Sequence, residues 1–90
     1  MQKHIKVSNM VSSSGNPVPN QFIIKTDAGT YFQSYKSIIA FIGGGGVTLD
    51  SYYWDYSVTT SKYRNQFLRS TTKETKQKIK NGTYRLEDLN

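Results

Sequence analysis

The residues with the clearest chemical potential are Lys62, Asn65, Gln66 and Arg69. If residues 58–69 form a helix, a turn of 100° per residue brings these four within about 100° of one another, opposite Tyr63 and Phe67. Such a face carries the side chains that read nucleic acid: Asn or Gln pairs with adenine, Arg with guanine, and Lys meets backbone phosphate. It is also the face that any amphipathic helix turns to solvent. Arg64 falls on the apolar side, so the spacing predicts either a partly exposed helix or a pair between Arg64 and a carboxylate.

A second basic run follows, Lys73, Lys76, Lys78 and Lys80, on a segment whose one strong apolar anchor is Ile79. Its chemistry would be phosphate contact, which weakens steeply with salt and carries no sequence information; its simplest alternative is solubility. A helix–turn–helix is disfavoured, because the second helix would be the reader and this one lacks the apolar face that such a helix packs with. Upstream, Tyr52-Tyr53-Trp54-Asp55-Tyr56 offers rings on which unpaired bases could stack. A chain this poor in Leu needs Trp54 and at least one Tyr inside, and any Tyr left outside becomes a partner-binding anchor. Tyr52 and Tyr53 therefore join Lys62, Asn65, Gln66, Arg69, Lys73, Lys76 and Lys80 as candidate contact residues.

Catalytic inventories fail. There is no Cys and the one His is His4, so neither a nucleophile–base pair nor a histidine metal cluster can be assembled. Gly43-Gly44-Gly45-Gly46 lacks the Lys-Ser/Thr and helix start of a phosphate loop. Glu74-Thr75-Lys76 resembles the end of a nuclease motif but lies on an expected helix, where Glu74 has a capping role. Asp50 and Asp55 could share a metal, yet with so few acids they suit capping or turning better. The reading is a non-enzymatic binding protein with no cofactor and no metal.

Charge sharpens that reading. The net charge is +6, and residues 61–90 supply +5 of it: Lys62, Arg64, Arg69, Lys73, Lys76, Lys78, Lys80 and Arg85 stand against Glu74, Glu87 and Asp88. Such asymmetry points to an anionic partner at the C-terminal part. Two classes fit: DNA or RNA, or an acidic or nucleic-acid-binding host protein that the same basic and Tyr-rich surface would inhibit or modulate. The longest apolar run, Ile38 to Ile42, is too short to span a bilayer, so a cytoplasmic protein without a membrane partner is expected.

Ninety residues fit a single domain. Ile5, Val7 and Val11 alternate with polar neighbours, which predicts a strand over 3–11, and residues 12–20, with two prolines, read as a loop. Gln21–Thr26 and Thr30–Gln33 form a hairpin about Asp27-Ala28-Gly29, with Gly29 in the left-handed position. Residues 34–42 carry helical spacing but β-branched density, which favours a strand. The tetraglycine is a turn, and Val47-Thr48-Leu49 returns as a strand. Ser57 or Thr59 caps the helix ending near Arg69; Thr71-Thr72-Lys73-Glu74 matches a capping box for a second helix that stops at Asn81-Gly82. Residues 83–90 form a short strand or tail packed through Tyr84, Leu86 and Leu89. The expected fold is α+β: residues 1–56 give a small antiparallel sheet of three to five strands, packed against two C-terminal helices within 57–82. A homodimer through an exposed Tyr patch or sheet edge fits such a fold.

Three segments, Ser34-Tyr35-Lys36-Ser37-Ile38-Ile39-Ala40, Trp54-Asp55-Tyr56-Ser57-Val58-Thr59-Thr60-Ser61-Lys62-Tyr63, and Phe67-Leu68, together resemble a recurrent group of small bacteriophage proteins of unknown function, over roughly residues 30–90. The resemblance implies phage or prophage origin and carries over no activity.

Overall fold

A computed structural model describes residues 5–90. The fold is α+β, with one six-stranded sheet in which spatial order follows chain order. Its strands are β1 (Lys6–Val11), β2 (Pro17–Lys25), β3 (Thr30–Ser34), β4 (Ser37–Gly43), β5 (Gly46–Asp50) and β6 (Tyr84–Glu87). Between β5 and β6 lie α1 (Val58–Leu68) and α2 (Thr72–Lys80). The first five strands pair antiparallel, whereas β6 runs parallel to β5, because the two helices carry the chain back before it re-enters the sheet. Six strands exceed the three to five expected, and the parallel edge pair departs from a purely antiparallel sheet. Residue 3 and His4 lie outside the described residues.

Two corrections come from turn chemistry. The loop expected over 12–20 shortens to five residues, because Pro17-Val18-Pro19-Asn20 belongs to β2. Here β2 pairs only with β1, since β3 meets it no earlier than Gln21, so the missing proline N–H groups interrupt no second ladder. The strand favoured over 34–42 forms but starts later, at Ser37: Ser34 ends β3, and Tyr35 and Lys36 form a tight turn joining β3 to β4, without the Gly or Asn that marks such turns in a sequence. The hairpin at 26–29 forms as expected, though Gly29 has φ +152° rather than a left-handed helical angle. A Cβ there would stand 2.4 Å from the Ile42 carbonyl oxygen and 2.7 Å from the Phe41 ring, so β4 requires glycine.

Register explains the layers. Ile23, Phe32, Ala40 and Leu49 stand side by side across β2 to β5 and face the helices. There they join Met10, Ile39, Leu68 and Tyr84, with Tyr63, Phe67, Ile79 and Trp54 packed against them. Phe32 and Phe67 stack with centroids 5.6 Å apart. The opposite face repeats the register with Ile24, Tyr31, Phe41 and Thr48. No helix among the described residues is long and apolar enough to cross a membrane.

Candidate functional site

Both helices begin as the sequence dictates. Ser57 caps α1, its hydroxyl accepting from the Thr60 N–H at 3.1 Å. Thr71 caps α2 in a reciprocal box: the Glu74 N–H donates to the Thr71 hydroxyl at 3.1 Å and the Thr71 N–H to the Glu74 carboxylate at 2.8 Å. These bonds from Thr71 hold the Glu74 carboxyl below its ordinary pKa. Arg69 closes α1 in the left-handed conformation, φ +56°, donating its N–H to the Asn65 carbonyl. Gly82, at φ +84°, turns the chain out of α2 toward β6.

Arg64 is fully buried. Its Nη1 donates to the Trp54 carbonyl at 2.6 Å and to Asp55 at 3.1 Å; its Nη2 donates to Asn65 Oδ1 and Thr72 Oγ1, both at 2.9 Å. The guanidinium also lies 5.2 Å from the Trp54 ring centroid. One side chain thus ties the 51–57 segment, α1 and α2 together, and the Arg64–carboxylate pair anticipated from its awkward position is present. The Ser61 hydroxyl donates to Asp55 at 2.7 Å. That bond first, then Arg64, with a smaller contribution from Lys76, holds the Asp55 carboxyl below its ordinary pKa despite partial burial. Asp50 is also committed: burial would raise its pKa, but N–H donors from Leu89, Tyr53 and Tyr52 outweigh it and set it low. Among the described residues, no three His, Cys, Asp or Glu side chains gather to hold a metal ion.

The four residues of the expected reading face have separate uses. Asn65 accepts from Arg64 and donates to Thr72 at 3.1 Å, so its amide is engaged inside the fold. Gln66 donates to the Val11 carbonyl at 2.6 Å, pinning α1 to the end of β1. Lys62 and Arg69 are exposed, Lys62 with its ammonium 5.3 Å from the Tyr63 ring centroid. On α2, Lys73, Lys76 and Lys80 are exposed and fall within about 60° of one another, turned at least about 100° away from the buried Thr75. Lys78 departs from them: its ammonium lies 5.2 Å from the Tyr84 ring centroid and bonds inward.

Lys62 lines an open groove of about 550 Å³ with Asp55, Ser57, Ser61, Asn65 and Thr72, along one side of α1 and reaching the first turn of α2. Lys76, on α2, lies near enough to Asp55 to act on its charge. Among the described residues the ion pairs are Arg64–Asp55 and Arg85–Glu87; none of Lys62, Arg69, Lys73, Lys76 and Lys80 belongs to one. Tyr52 is 76% exposed, and its ring meets that of the half-buried Tyr53 edge-on, centroids 4.7 Å apart. Trp54 is half-buried against the core, as its size predicts.

A neighbouring cavity of about 320 Å³ escaped the sequence reading; it is lined by Ser34, Tyr35, Lys36, Ser37, Tyr53 and Tyr56. Tyr35 and Lys36 reach it only because they form a turn, and no residue type there signals one.

The chain belongs to a family of unknown function, DUF8033, which matches residues 5–82. No protein of curated description and no solved structure matches it.

Proposed function

We propose that this is a small non-enzymatic nucleic-acid-binding accessory protein that contacts phosphates through Lys62, Arg69, Lys73, Lys76 and Lys80. The observation that carries the reading is the display of these five cations, exposed and free of ion pairs, on two helices whose other charged groups are engaged within the fold. With Asn65 and Gln66 engaged in holding the fold, the surface is suited to the phosphate backbone rather than to base edges, so it binds with little sequence preference. The likeness to small phage proteins supports a phage-encoded factor working in the host cytoplasm.

Titration against duplex and single-stranded DNA at two salt concentrations tests this. Affinity should fall steeply with salt, and changing Lys73, Lys76 and Lys80 to Gln together should flatten the log–log slope by about 2 to 3. The pair Lys62→Glu and Arg69→Glu should abolish binding while leaving the circular dichroism unchanged. Absence of binding at low salt defeats the reading. The exposed Tyr52 favours one alternative, docking on an acidic or nucleic-acid-binding host protein; recovery of one stoichiometric protein from host lysate, with no DNA affinity, would establish that instead.

A further inference from the structure

The cavity of about 320 Å³ between the Tyr35-Lys36 turn and the 51–57 segment is built with some care. Its size lies at the lower end of the ~300–1,000 Å³ typical of small-ligand sites. Tyr35 contributes to it from a left-handed backbone, φ +57°, which costs a bulky L-residue conformational energy. Two hydrogen bonds hold it there: the Tyr35 N–H donates to the Asn20 carbonyl at 2.7 Å, and Gln33 Nε2 donates to the Tyr35 carbonyl at 2.7 Å. The turn thereby fixes the backbone from which Tyr35 lines the cavity.

The lining chemistry narrows the ligand. Tyr35, Tyr53 and Tyr56 supply aromatic rings, the last two with centroids 5.3 Å apart and Tyr35 and Tyr56 substantially exposed. Lys36 is the charged residue of the lining, and it is positive. Rings with hydroxyl tips and one ammonium suit a planar aromatic group attached to an anion. The cavity also adjoins the groove that Lys62 lines: Tyr56 lines the first, while its chain neighbours Asp55 and Ser57 line the second.

We propose that this cavity receives one unpaired base of a single-stranded nucleic acid, stacked on the tyrosines with its phosphate at Lys36, while the adjoining backbone runs over the lysines of α1 and α2. The proposal rests on the nucleic-acid reading above and specifies it, because a duplex has no free base to offer.

The test compares a short oligothymidylate with a duplex of equal length, by fluorescence anisotropy at low salt, on the full chain. The wild type should prefer the single strand. Tyr35→Gly removes one ring and adopts the same φ without strain, so the fold is retained; its single-strand affinity should fall about 5- to 150-fold, the loss of one base stack, with duplex affinity unchanged. Tyr56→Leu should act in the same direction, and Lys36→Gln should flatten the single-strand salt slope by about 0.7. Equal affinity of the wild type for both probes, or single-strand binding unaltered in Tyr35→Gly and Tyr56→Leu, overturns the base site; if Lys62→Glu with Arg69→Glu still abolishes binding, the phosphate-contact reading survives that result. Binding of neither probe overturns both.

Discussion

The two helices carry similar polar sequences and use them oppositely. On α1, Arg64, Asn65 and Gln66 turn inward or sideways and bind the 51–57 segment, α2 and β1. On α2, Lys73, Lys76 and Lys80 project outward, and the inward side holds Thr75 and Ile79. Helix α1 is therefore chiefly a fastener, with Lys62 as its displayed cation, and α2 chiefly a display. A basic side chain reports its role through what surrounds it, and surroundings depend on the turn that brings Trp54 and Asp55 over Arg64.

The sharpest way to break this contrast is Arg64→Ala. It strands the Trp54 carbonyl and the Thr72 hydroxyl and opens a hole where three segments meet, so a loss of about 3–5 kcal/mol is expected in urea denaturation. Arg64→Lys should recover little, since one ammonium cannot reproduce the planar fork. Next in size, Thr71→Ala removes the α2 cap and should lower stability by about 1 kcal/mol in the same assay. Acidification should weaken the carboxylates that fasten the 51–57 segment. The Asp55 and Asp50 carboxyls have lower pKa values folded than unfolded, so their stabilisation is full above the ordinary value of about 3.9 and disappears as pH falls through the depressed one. Thermal scans below about pH 4 should show a declining Tm, and Asp55→Asn should diminish that decline. Smallest of all, Lys73→Gln, Lys76→Gln or Lys80→Gln should change stability by no more than about 0.5 kcal/mol, a result that would separate their role from that of Arg64.

Much of this architecture was legible from local chemistry. Thr71 and Glu74 announced a capping box, Ser57 a helix start, and Gly29 a hairpin, because each satisfies backbone groups within a few residues. The misreadings arise where distant partners decide. Pro17 and Pro19 sit in a strand because β3 begins too late to need their N–H groups. Tyr35 turns with its N–H held by the Asn20 carbonyl, a contact that spans 15 residues and that no short window contains. The contact face was half-legible: angular spacing identified which α1 residues share a side, but not that Asn65 and Gln66 would find partners on α2 and β1.

The parallel pairing of β5 with β6 also sets an order of events in time. Each of the first five strands needs only its chain neighbour, so successive hairpins can close early and locally. The last strand must wait until α1 and α2 have docked, for its partner Val47 lies 37 residues before Tyr84. Folding kinetics should accordingly show substitutions in the β2–β3 hairpin altering the rate of folding, and those in β6 altering chiefly the rate of unfolding. The strand that completes the sheet is then also the first to leave it.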